Sequence, residues 1–95
     1  MGDRIGLCVR DKDGEESEII IHSHWMGREL VALAQRYLKQ RKHIIKNENC
    51  DRVLYDFIWW IGVNQMETDI DLTIYDDDCG DNGIFWIDLK EMIVA

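Results

Sequence analysis

Apolar and polar positions alternate in four short segments of the chain, and this two-residue period is typical of strands with one buried face. The segments are residues 4–10, 16–23, 69–76 and 84–89. Asp13-Gly14 lies between the first two, and Asp-Gly is a strong signal for a two-residue hairpin turn. We therefore expect two β-hairpins, the first formed by 4–10 with 16–23. The second joins 69–76 to 84–89 around a loop at 77–82.

Between the hairpins, apolar positions recur every three or four residues, which predicts two amphipathic helices. The first spans 26–42. The second spans 50–61, with Asn47 or Asn49 as its cap and Gly62 at its end. The order β-β-α-α-β-β predicts one α+β domain over residues 1–95, a single antiparallel four-stranded sheet with two helices packed on one face.

The turn at Asp13-Gly14 also predicts the register of the first hairpin and hence its two faces. We expect His22 and His24 on the core-facing side, whereas Ile19 and Ile21 lie on the outer face. A slip of one residue would exchange the two faces. The expected opposite pairs are Leu7 with Ile20, Ile5 with His22, and Asp3 with His24.

Composition and charge exclude several functional classes. The net charge of −8, from 19 acidic and 11 basic residues, disfavours direct nucleic-acid binding, which needs Lys and Arg against phosphates. No apolar run is long enough to span a membrane. The three cysteines include no CxxC pair, so we expect free thiols and a cytoplasmic protein.

The end of the second strand carries the first candidate for chemistry. His22 and His24 are two residues apart and therefore lie on the same face of a strand. Imidazoles in this arrangement can hold a divalent metal, with Asp3 across the hairpin, or Cys50, as a further ligand. The alternative is that both histidines are hydrogen-bonded structural residues.

The acidic loop before the last strand is a second candidate. Asp76, Asp78 and Asp81 offer oxygen ligands to a hard cation such as Ca²⁺ or Mg²⁺. An EF-hand is excluded, since a loop starting at Asp78 has Leu89 at the twelfth position, where a glutamate is needed. Loops rich in Asp, Asn and Gly are also typical of turns that bind nothing.

Aromatic and apolar residues outside the predicted core indicate an interaction surface. Trp25 is expected to pack into the core at the strand–helix junction. Five other residues fall on faces that neither helix covers, and such patches are enriched at interfaces. These candidates are Ile19, Ile21, Tyr75, Trp86 and Trp59.

The junction Ile21-His22-Ser23-His24-Trp25-Met26-Gly27 resembles a pattern in small uncharacterised prokaryotic and phage proteins. In those proteins a strand ends in Ser-His-Trp and is followed by glycine and a helix. They often carry two glycines where this chain has Met26-Gly27, which disfavours a phosphate-binding loop. The resemblance implies no function.

No set of nucleophile, base and orienting residue can be assembled, so an enzyme is the least supported class. Our leading hypothesis is an interaction module that forms a homodimer through the outer sheet face or binds another protein. The alternative is a divalent-metal protein that uses His22 and His24. A further alternative is an acidic mimic that binds a basic partner.

Overall fold

The computed structural model describes residues 3–64, 70–74 and 77–95, and for residues 77–79 the backbone alone. Within these ranges the α+β class is confirmed, with two helices and five strands. A 3-10 helix, Asp77–Asn82, lies between the third and fourth strands. The strands are β1 (Ile5–Arg10), β2 (Ile20–Ser23), β3 (Asp71–Thr73), β4 (Ile84–Asp88) and β5 (Ile93–Val94), and the helices are α1 (Glu29–Ile45) and α2 (Cys50–Asn64).

The strands form one mixed sheet in the order β3-β2-β1-β4-β5. β1 pairs with β4 in parallel, whereas the other neighbouring strands pair antiparallel. The prediction of a single antiparallel four-stranded sheet is therefore wrong. The second predicted hairpin does not form, because β3 pairs with β2 and β4 pairs with β1. β1 is the central strand, and its residues 5–9 are buried on both faces.

The register of the first hairpin differs by one residue from the predicted register. Leu7 pairs with Ile21 and Gly6 pairs with His22, so Leu7 does not lie opposite Ile20. Because side chains alternate between faces, this shift exchanges the two faces of β2. Ile21 is fully buried in the core, and His22 lies on the face of the sheet away from the helices.

The register changes at Ser17. Nearer the turn, Arg10 bridges to Glu16, whereas the predicted turn would place Arg10 opposite Ser17. The buried Ser17 hydroxyl then accepts a hydrogen bond from the Val9 N–H at 3.0 Å and donates to the Ile19 carbonyl oxygen at 3.3 Å. A side chain that takes over ladder hydrogen bonds adds residues to one strand, as a bulge does. The pairing resumes in a new register at β2.

The core lies between the helices and one face of the sheet. Tyr37 and Phe57 meet edge to face in its centre, with ring centroids 4.9 Å apart. The inward stripes of both helices join Ile5, Leu7, Val9, Ile21 and Ile87 in one buried cluster. The stripes consist of Leu30, Leu33, Ala34, Tyr37 and Leu38 in α1, and Val53, Leu54, Phe57, Trp60 and Ile61 in α2.

A polar contact joins the two helices beside this core. The Tyr37 hydroxyl donates to Asp56 Oδ2 at 2.7 Å, and Arg41 binds both oxygens of the same carboxylate. Burial, followed by the Asp56 hydrogen bond, raises the pKa of Tyr37 far above its ordinary value. The Asp56 hydrogen bond likewise raises the pKa of Arg41.

The ends of the helices agree only in part with the sequence pattern. Asn49 caps α2, since its Oδ1 accepts the Arg52 N–H at 3.0 Å. The helix does not end at Gly62 but continues to Asn64. Trp25 does not pack into the core and is 66% exposed, because the junction before α1 turns it outward. No helix in the described ranges is long and apolar enough to cross a membrane.

Candidate metal centre

Two neighbouring strands bring three ligand-bearing side chains together at one edge of the sheet. His22 lies in β2, and His24 follows in the bend just beyond the end of this strand. Asp71 lies in the edge strand β3, directly opposite His22. The cluster is therefore built from one cross-strand pair and one residue spaced two positions along the chain.

The three side chains converge closely enough to share an ion. One ligand atom from each of His22, His24 and Asp71 lies within 4.8 Å of the other two. The imidazole centroids are 5.3 Å apart and the rings are nearly perpendicular, at 85°. This is a triad of two imidazoles and one carboxylate, a ligand set that suits several divalent transition metals.

The burial of the triad is uneven. His22 is buried, with 6% of its surface exposed, whereas His24 and Asp71 are exposed. Among the described residues, no group forms a hydrogen bond with the buried Nδ1 of His22. A buried polar atom without a partner costs about 1–3 kcal/mol, and most such atoms in proteins are satisfied. The triad thus contains an inner ligand whose ring nitrogen lacks a partner.

Asp3, the carboxylate expected beside His24, has a different environment. Its Oδ1 accepts a hydrogen bond from the Asn82 side-chain amide at 2.6 Å, and its backbone carbonyl accepts the Gly27 N–H at 2.9 Å. Its carboxylate also lies against Gly27, so a Cβ at that glycine would collide with Asp3 Oδ2. Asp3 therefore ties the start of β1 to the junction before α1, and it is not a member of the triad.

Asp71 is the ligand that the sequence analysis missed. The predicted hairpin pairs residues 69–76 with the last strand, and the sequence does not indicate which strands join the two hairpins. The signal available in the sequence was the alternation itself, which puts Asp71 on the polar face of its segment. Only the pairing of β3 with β2 brings that face beside His22.

The acidic loop is described in part. Asp76 lies outside the described residues, and only the backbone of Asp78 is described. Asp81 is exposed in the 3-10 helix. The helix is interrupted at Gly80, which has φ 42° and lies against the Arg4 guanidinium. The hard-cation site at Asp76, Asp78 and Asp81 therefore stays a prediction.

Cys50, the other suggested ligand, begins α2 and is buried in the core cluster. Burial raises the pKa of its thiol, and the nearby carboxylates of Asp51 and Asp11 raise it further. Because the thiolate is the form that binds metal, this environment disfavours coordination. Cys50 acts as a small apolar residue in the core.

The candidate interaction residues lie in three different environments. Ile21 is in the core and Ile19 packs against it, as a result of the register shift. Trp86 is half-buried on the outer sheet face, next to the small cluster of Cys8 and Ile20 and beneath the Arg10 guanidinium, which is 4.7 Å from the ring centroid. Tyr75 lies outside the described residues.

Trp59 is the interaction candidate that stands most clearly at the surface. It lies on the outer face of α2 and is 56% exposed, with Tyr55 and Val63 exposed four residues before and after it. The Arg41 guanidinium lies 5.4 Å from its ring centroid. The outer face of α2 therefore carries exposed apolar surface.

Comparison with known proteins adds no functional information. No family model matches the chain, and no curated protein or solved structure matches it either.

Proposed function

We propose that this protein binds a divalent transition metal, such as Zn²⁺, through His22, His24 and Asp71. The observation that supports this function is the convergence of two imidazoles and a carboxylate within 4.8 Å. Nδ1 of His22, which forms no hydrogen bond with the described residues, is one of the two ring nitrogens that could coordinate the ion.

Small side-chain movements suffice to close the ligand set. Ligand atoms in a tetrahedral zinc site are about 3.4 Å apart, since each lies about 2.0–2.2 Å from the ion. His24 and Asp71 are exposed and can change rotamer, whereas His22 is held in the sheet. The ion would then take three protein ligands and leave at least one position for solvent, as in open zinc sites.

Zinc titration by calorimetry tests this function. We expect one Zn²⁺ per chain for the wild type, and at least about a hundredfold weaker binding for His24→Ala or Asp71→Asn. Both residues are exposed, so these changes leave the core intact. The matched controls are His43→Ala and Asp81→Asn, which remove the same groups from exposed positions outside the triad. Equal loss in the controls would reject the site.

Self-association is a second candidate function, favoured by the apolar stripe of α2. Tyr55, Trp59 and Val63 are spaced four residues apart and form one exposed face of the helix. A helix with apolar residues on both its inner and its outer face is usually buried on both sides. A second copy of this chain, packed on Tyr55, Trp59 and Val63, would bury the outer face of α2. Sedimentation velocity should then show a dimer that Trp59→Ala weakens and that Trp25→Ala, at another exposed tryptophan, leaves unchanged. A monomer at tens of micromolar would reject it.

A further inference from the structure

A groove of about 560 Å³ lies between α1 and the edge strand β5. The less exposed residues of its lining are Leu38, Met92 and Val94, while Lys39 and Lys42 are exposed at its rim. Because β5 and β3 are the opposite edges of the sheet, the groove is separate from the metal triad. It combines an apolar floor with a cationic border.

The rim lysines are unusual in a protein with a net charge of −8. Neither Lys39 nor Lys42 forms an ion pair with a carboxylate in the described part of the chain. After Glu29, α1 contains no acidic residue, although it continues to Ile45. The α1 border of the groove therefore carries positive charge in a chain that is acidic as a whole. A positive surface of this kind attracts an anionic partner.

The edge of β5 offers backbone groups to the same partner. Ala95 and Trp86 exchange two backbone hydrogen bonds, of 2.8 and 3.0 Å. Bonded and non-bonded pairs alternate along antiparallel strands, so the N–H and C=O of Val94 point away from β4. Val94 thus directs a donor and an acceptor to the open side of the sheet, as strand addition requires.

We propose that this groove binds an extended segment of a partner protein that presents apolar and then acidic side chains on its α1-facing side. Side chains of an extended peptide alternate between two faces, so every second residue faces α1, and the apolar ones among them would lie over Leu38 and Met92. Carboxylates on the same face pair with Lys39 and Lys42, whose side chains are long and flexible. The backbone of the segment continues the sheet beyond Val94.

Fluorescence anisotropy tests the proposal with a labelled peptide in which every second residue is serine and the residues between them are leucines followed by glutamates. We expect saturable binding that weakens between about 0.01 and 0.15 M salt. The double substitution Lys39→Ala and Lys42→Ala should weaken binding about tenfold, the sum of two exposed ion pairs. Binding should also slow hydrogen exchange at the Val94 amide.

The controls separate this groove from general charge effects. Lys12→Ala with Arg52→Ala removes two positive charges outside the groove and should leave the affinity unchanged. No binding, equal binding by the groove variant, or equal binding of a glutamate–serine peptide would overturn the proposal. Displacement of the peptide by an equal concentration of decanoate would also overturn the proposal, because it would indicate that the groove binds a small amphiphile. A dimer that the groove variant abolishes would overturn it in favour of a second copy.

Discussion

The Asp11 carboxylate accepts a hydrogen bond from the backbone N–H of Cys50, at 3.2 Å, and so joins the first turn to the first residue of α2. Its other oxygen accepts the N–H groups of Asp13 and Glu15, both at 3.0 Å. Asp11 is buried, and its negative charge lies at the positive end of the helix dipole. One side chain therefore holds both the turn and the start of the helix.

Replacement of Asp11 by alanine should destabilise the protein by about 3 kcal/mol, because three N–H groups lose a charged acceptor. Glu15→Ala removes an exposed carboxylate from the same turn and should change stability by less than about 0.5 kcal/mol. Urea unfolding of the two variants measures both values. Equal stability of the two variants would show that the Asp11 contacts do not stabilise the fold.

Two glycines should respond to alanine with opposite signs. Gly27 has φ 53°, and its Cβ would collide with the Asp3 carboxylate, so Gly27→Ala should cost about 1–2 kcal/mol. Gly62 lies inside α2, and no described residue would lie within 4 Å of a Cβ there, so Gly62→Ala should stabilise by about 0.5–1 kcal/mol. Thermal unfolding distinguishes them. A loss of stability at Gly62 would indicate that this helix face is covered.

Stability should fall in alkaline solution because of Tyr37. Its pKa is raised in the folded protein, mainly by burial, so the folded state retains a proton that the unfolded state loses above about pH 10. The stabilising effect is complete below that pH and is lost progressively above it. Tyr37→Phe should flatten the decline in unfolding free energy above about pH 10. If the unfolding free energy of Tyr37→Phe falls as steeply as that of the wild type, other titrating groups cause the decline.

Zinc should stabilise the folded protein, since the triad exists only when β2 and β3 are paired. At a free zinc concentration a hundredfold above the dissociation constant, the gain is about 2.7 kcal/mol. His24→Ala should remove the gain, whereas His43→Ala should retain it. The melting temperatures with zinc and with excess chelator measure this. A gain that persists in His24→Ala would place the ion elsewhere.

The sequence predicted the local features of this fold well. The three-to-four-residue period marked both helices, and the Asn49 cap was among those expected because capping depends on contacts within one turn. The two-residue spacing of His22 and His24 likewise indicated that their side chains lie close together, although β2 ends at Ser23 and His24 lies in the bend beyond it.

The non-local pairings could not be predicted in the same way. Alternation shows that a strand has two faces but not which strand lies beside it, so β4 was paired with β3 rather than with β1. Ser17 illustrates a second obstacle, because its buried hydroxyl takes a ladder hydrogen bond where the register changes between the Arg10–Glu16 bridge and β2. Asp71 was missed as a ligand because the pairing of β3 with β2 could not be predicted from the alternation.

A native mass spectrum of protein purified without a histidine tag or chelator, and then incubated with Zn²⁺, tests the metal-binding function most directly. We predict one zinc ion per chain in the wild type and in His43→Ala, and none in the combined variant His24→Ala with Asp71→Asn. Circular dichroism should show that the combined variant is folded. A zinc adduct of the same stoichiometry in that folded variant would contradict metal binding by His22, His24 and Asp71.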